Sequence, residues 1–231
     1  MKSDPVWKKY AAEFIGTAGL VFIGTGSIAL DDTHGGILGN GGIALAFGVA
    51  VTAMIYLFGR LSGAHINPAV SIGFFLAGRM KGLETSGYII SQVMGAVAAS
   101  ALVLLVFPGS EMLGTTLPGG VPLESFFLEI ALTFALMFVI IRLSEGWKQL
   151  NAYAGIIIGA VIFVEAFLAG PISGASMNPA RSIGPALVSG HLEFIWIYLL
   201  APTAGSALAI YSCRVFWKKN CCRNSTLCTS K

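Results

Sequence analysis

The chain has 231 residues, of which 55% are hydrophobic and only 11% charged, with a mean hydropathy of +0.80. This composition belongs to integral membrane proteins and excludes an ordinary water-soluble domain. The net charge of +3 and pI near 8.7 do not point to nucleic acid, because the basic residues sit in predicted loops and tails.

Taken in order, six apolar segments are long enough to cross a bilayer, at about 10–30, 42–59, 87–107, 124–142, 152–170 and 194–215. The first, Tyr10–Leu30, is too long for a signal-peptide core and lacks a convincing cleavage site, so it reads as a retained span. Two shorter apolar runs, 68–77 and 179–188, follow spans two and five. At ~1.5 Å per residue each reaches about half of a ~30 Å hydrocarbon core. Between spans three and four lies PGSEMLGTTLPGGVP, residues 108–122, whose Gly and Pro content marks a linker. Gly155 and Gly159 form a small-xxx-small pair, and Gly95, Ala96, Ala98 and Ala99 offer a second face for close helix packing.

The short runs carry one motif written twice. Residues 62–73 read SGAHINPAVSIG and residues 173–184 read SGASMNPARSIG, identical at nine of twelve positions with a constant offset of 111. Asn is a strong helix N-cap, and Pro suits the first helical position because its missing N–H has no partner there anyway. Asn67-Pro68-Ala69 and Asn178-Pro179-Ala180 therefore each open a helix. Glu13 in span one and Glu129 in span four extend the correspondence. The chain divides into a first repeat, 1–107, with half-helix 67–77; the linker, 108–122; a second repeat, 123–217, with half-helix 178–189; and a tail, 218–231. Three spans per repeat is an odd number, so the second repeat enters from the opposite face. The predicted fold is an all-α membrane protein with two inverted repeats, and Asn67 and Asn178 meet near the bilayer centre. Paired, Pro-interrupted short segments of this kind point to a transport site at the midplane. With both termini inside, thirteen of the fourteen Lys and Arg residues fall on the cytoplasmic side. Arg181 is the exception, and Val70 holds its position in the first repeat.

The residue chemistry follows. The side-chain oxygens of Asn67 and Asn178 cap backbone N–H groups, leaving their NH₂ groups free to donate to a passing solute. Two half-helix N-termini add positive potential at the same level, a barrier to cations and proton chains but not to neutral molecules. Arg181 reads as a fixed donor at a constriction. Glu13 and Glu129 read as anchors that accept donors from the loops before Asn67 and Asn178, where lipid offers no hydrogen bonds. His65 braces its loop or gates, and Glu165 lines the lumen, pairs at a protomer interface or stays protonated. His34 and His191 read as loop residues. No metal-ligand cluster, Ser-His-Asp arrangement, Walker loop or dinucleotide fingerprint is present, so no metal, cofactor or enzymatic activity is expected.

Six spans, inverted halves and the loops HINPAV and MNPARS resemble the aquaporin family, the major intrinsic proteins, over essentially residues 6–216. The resemblance implies one pore per protomer, a homotetramer in the plasma or bacterial inner membrane, and passive movement of water or small neutral solutes. It also implies a four-residue selectivity filter, which falls by counting on Phe47, Ala166, Ala175 and Arg181. Water-selective members typically carry histidine where Ala166 stands, so this filter is expected to be wide and apolar. Glycerol facilitators usually have Asp after the arginine, and here it is Ser182. AGPISGASMNPARSIGPA and Tyr198-Leu199 are instead similar to the nodulin-like intrinsic proteins of plants and their bacterial relatives. That implies glycerol, urea or metalloid hydroxides such as arsenous or boric acid as cargo, with a water-selective channel of the same fold as an alternative and a proton- or ion-coupled transporter, suggested only by Glu165, as a distant one. The tail cysteines Cys221, Cys222 and Cys228 invite a thiol–arsenite role, against the simpler reading of a plain cytoplasmic tail.

Overall fold

The computed structural model describes residues 5–145 and 151–216, and the cysteine-bearing tail, Lys2 and Lys148 lie outside the described residues. Those described form eight α-helices: α1 (Val6–Thr33), α2 (Gly39–Ser62), α3 (Pro68–Leu76), α4 (Gly82–Val106), α5 (Pro122–Glu145), α6 (Ala154–Ser173), α7 (Pro179–Ser189) and α8 (Ile195–Phe216). A short 3₁₀ turn, Asn151–Tyr153, precedes α6. No strand occurs among the described residues. Six helices are long and apolar enough to span a membrane, while α3 and α7 have 9 and 11 residues. Each predicted span coincides with one of the long helices, most of them a turn longer than the apolar run because helices continue into the polar interface.

Helix packing repeats between the halves. α1 packs on α4 and α5 on α8, and α2 and α6 pack on each other across the two halves. Small residues permit the approach. A Cβ on Gly95 would meet the Phe14 carbonyl, and one on Gly205 would meet the Ile130 carbonyl. Between α2 and α6, a Cβ on Gly48 would stand 2.7 Å from the Gly159 carbonyl oxygen. In lipid, where apolar surface drives little association, such contacts supply van der Waals attraction. Leu45, Val49, Leu105, Phe127 and Leu168 remain exposed on outward faces, and Trp7, Tyr56, Tyr153 and Trp196 stand exposed near helix ends. An apolar belt with aromatic residues at its edges matches the bilayer and its interfaces.

α3 and α7 start head to head. Pro68 and Pro179 occupy their first turns, and Asn67 and Asn178 are extended N-caps. Asn67 Nδ2 donates to the Met177 carbonyl at 2.8 Å, and Asn178 Nδ2 donates to the Ile66 carbonyl at 2.8 Å. Two helices whose caps touch in this reciprocal way run away from each other, which is the inverted arrangement.

Candidate functional site

The loops that carry the two caps are built by the same interactions. α2 ends at Gly63 (φ +90°) and α6 at Gly174 (φ +81°), left-handed positions that suit glycine. Beyond them Ala64, Ile66, Ala175 and Met177 also hold positive φ, between 41° and 52°. Such conformations cost of order 1–3 kcal/mol each for non-glycine residues, so their surroundings must enforce them. Glu13 does so in the first loop. It accepts from Ser62 Oγ (2.7 Å), His65 N (2.9 Å), Ile66 N (2.7 Å) and Gln92 Nε2 (2.8 Å). Glu129 accepts from Ser173 Oγ (2.9 Å), Ser176 N (2.8 Å) and Met177 N (2.8 Å) in the second. Tyr88 and Tyr198 close the ends of α2 and α6 by donating to the Ser62 and Ser173 carbonyls, each at 2.7 Å. All four side chains are buried.

The caps work as their sequence context requires. Asn67 Oδ1 accepts from Ala69 N at 2.8 Å, and Asn178 Oδ1 accepts from Ala180 N at 3.0 Å and Arg181 N at 3.3 Å. The expectation that both NH₂ groups are free needs correction. One N–H of each is spent on the opposite repeat's carbonyl, because a left-handed loop leaves that oxygen without a helical donor. One N–H per asparagine remains. Asn67 and Asn178 are both buried and both line the cavity described next.

A cavity of about 850 Å³ runs along the seam of the two repeats. One end is framed by Arg60, Ser144 and Ala152, and the other by Phe47, Ala166, Ala175 and Arg181. Phe47 and Arg60 are thirteen residues apart on α2, or ~20 Å at 1.5 Å per residue. The four residues counted from the motifs all line this cavity. Phe47 is 8% exposed, Ala166 9%, Ala175 7% and Arg181 3%. The Arg181 guanidinium carbon lies 5.0 Å from the centre of the Phe47 ring, and Nη1 donates to the Gly114 carbonyl at 2.7 Å. Gly114 follows Leu113, both with positive φ (+71° and +49°), and a Cβ on Gly114 would stand 2.8 Å from Thr25 Cβ. The linker loop therefore folds back onto α1 and holds the arginine. Thr116 Oγ1, also in that loop, donates to Ser182 Oγ at 2.8 Å. Sequence reasoning treated 108–122 as a spacer and missed both contacts. Only Gly114, with no Cβ, fits against Thr25, and that is not legible without the fold.

His65 lines the cavity. Its Nδ1 is 3.1 Å from Ser71 Oγ, its ring stacks on Phe74 at 4.5 Å, and Tyr88 meets it edge-on at 5.2 Å. Ser176 holds the same place in the second repeat, 2.5 Å from Ser182 Oγ. Glu165, for which the lumen, a protomer interface and a protonated state are all open from sequence, is not among the cavity-lining residues. It is 8% exposed, and its Oε2 has no hydrogen-bond partner among the described residues. Ala166, one residue on, takes the cavity face through the 100° turn of the helix. Among the described residues no group of three or more His, Cys, Asp and Glu is placed to hold a metal ion.

The comparisons with known proteins agree with this architecture. The family model described as major intrinsic protein matches residues 1–212. The chain is 43% identical over 202 residues to Aquaporin NIP1-4 of Oryza sativa subsp. japonica, covering 87% of this chain and 74% of that protein. It is 39% identical over 205 residues to Nodulin-26 of Glycine max, covering 88% of this chain and 76% of that one. The X-ray structure of the aquaglyceroporin from Plasmodium falciparum superposes with a TM-score of 0.83 at 24% identity, over 93% of this chain and 98% of that chain, a likeness of fold.

Proposed function

The chain belongs to the major intrinsic protein family, a family of channels rather than enzymes, and from this membership we propose a passive pore for small uncharged solutes as well as water. Glycerol, urea and metalloid hydroxides such as arsenous or boric acid are the proposed solutes. The observation that carries this reading is that Phe47, Ala166, Ala175 and Arg181 all line the same cavity. Two alanines remove bulk and polarity from one wall. A buried guanidinium and an aromatic ring remain on the other, to hydrogen-bond a hydroxyl and to pack its carbon skeleton.

The remaining N–H groups of Asn67 and Asn178 act as donors at the centre of the path. A solute oxygen that accepts from both cannot also accept from the next molecule in line, which interrupts a proton wire. The positive ends of α3 and α7, with Arg181 beyond them, oppose cations. Both termini face the cytoplasm, and the chain works as a homotetramer with one path in each protomer. Similar proteins bearing the names aquaporin and aquaglyceroporin support a path of this kind.

Stopped-flow light scattering on proteoliposomes tests the reading. Vesicles shrink under an impermeant osmolyte and under glycerol. Protein-dependent reswelling with glycerol alone is the expected result. Fast shrinkage without faster reswelling sinks the glycerol assignment and leaves a water channel. Urea and arsenite follow in the same format.

A further inference from the structure

Gly24 sits within α1, is buried and keeps ordinary helical backbone angles, so its lack of a side chain answers a need for space. The helix-packing glycines are different. For Gly95, Gly184 and Gly205 the nearest atom to an added Cβ is a carbonyl oxygen of a neighbouring helix, from Phe14, Ala96 and Ile130. For Gly24 the three nearest atoms all belong to the Phe47 ring. A methyl there would overlap Cε1 and stand 2.5 and 2.6 Å from Cδ1 and Cζ. We propose that Gly24 is a specificity-determining residue. Its empty side-chain position is the recess that holds the Phe47 ring back from the constriction and so sets how wide a solute can pass.

The ring has three boundaries. Gly24 lies behind it, Leu20, Ala50 and Val51 belong to the same buried cluster, and the cavity with Arg181 lies in front. The contacted atoms are the far end of a side chain with two torsions, so a methyl at 24 moves the ring and leaves the helices in place. Restoring an ordinary 3.5–4.0 Å carbon contact shifts the ring by about 1.5 Å, and the open side is the cavity. The recess exists in one repeat only. Glu129 minus Glu13 gives an offset of 116, which carries Gly24 onto Ile140, itself a cavity-lining residue.

This inference rests on the reading of Phe47 as part of the filter, and the experiment separates the two. Wild type, Gly24→Ala, Phe47→Ala and the double variant are reconstituted, and glycerol and water permeabilities are measured for each. The expected result is a roughly tenfold loss of glycerol permeability in Gly24→Ala, a smaller loss for water, and a double variant that behaves as Phe47→Ala. Without a ring, the methyl has nothing to push. Unchanged fluxes in Gly24→Ala overturn the inference, as does a loss that persists in the double variant. If wild type passes no glycerol, the solute reading fails, and the four water permeabilities still decide the role of Gly24. If neither flux appears, thermal melting of the four proteins decides the contact. Strongly non-additive shifts support the recess and additive ones overturn it.

Discussion

Glu129→Gln and Glu165→Gln make the same chemical change at two buried carboxyls, and the structure assigns them different costs. Glu129 Oε1 accepts from Ser173 Oγ and Ser176 N, and Oε2 accepts from Met177 N at 2.8 Å. A glutamine can keep the first two bonds. Its NH₂ must then face the Met177 N–H, donor against donor. A buried donor left without an acceptor costs about 1–3 kcal/mol, and here two are created, which gives about 2–4 kcal/mol after partial relaxation. At roughly 2–4 °C per kcal/mol for a chain of this size, the melting temperature falls by about 4–16 °C. Glu165 Oε2 has no partner among the described residues, so Glu165→Gln breaks no hydrogen bond there, exchanges one unpaired polar atom for another, and costs less than Glu129→Gln. Thermal unfolding of the two detergent-purified variants, followed by the loss of monodisperse protein, measures the difference. Equal shifts for the two would refute the view that Glu129 holds the second loop in place. The same loosening displaces the Met177 carbonyl that accepts from Asn67 Nδ2, so solute flux falls with stability in Glu129→Gln alone.

Other perturbations address the constriction and the caps. Ala166→His introduces a bulky polar ring opposite Arg181, and glycerol permeability should drop about tenfold or more while water permeability changes little; light scattering on one vesicle preparation reads both. Arg181→Val copies the first repeat's Val70 and removes the buried cation, so a proton or sodium leak should rise above that of wild type, measured with a pH-sensitive dye under an imposed potential. Asn67→Ala leaves Ala69 N and the Met177 carbonyl without their partners; a loss of about 1–3 kcal/mol, read as a lower melting temperature, is expected.

Much of this architecture could be read before the fold was known, because the informative signals are local. Apolar length gives the six spans. Asn-Pro before a short apolar run gives the starts of α3 and α7. The odd number of spans in each repeat gives their opposed directions. What escaped is held by contacts across long separations. Gly114 looks like one more glycine in a Gly- and Pro-rich linker, yet its carbonyl meets Arg181, 67 residues further on. Gly24 looks like any small residue in a membrane helix until the ring of Phe47 is found in its space. The NH₂ groups of Asn67 and Asn178 could be placed near each other from the motif alone, but their acceptors are set by the loop torsions at Ile66 and Met177. Glu165 and Ala166 are neighbours in sequence, and one residue of helical rotation decides which of them reaches the cavity.

The reciprocal bonds between the asparagines and the opposite loops set a constraint on biosynthesis. The Ile66 carbonyl and Asn67 Nδ2 find their partners on residues 178 and 177. Between the emergence of Asn67 and that of Asn178 the ribosome adds 111 residues, which takes about 6–22 s at ~5–20 residues per second. For that interval the first re-entrant segment carries an acceptor and a donor that no residue already made can satisfy in this way. Water at the membrane surface or in the insertion machinery must serve in their place. The contact between the two half-helix starts is therefore completed only once the second repeat has been made.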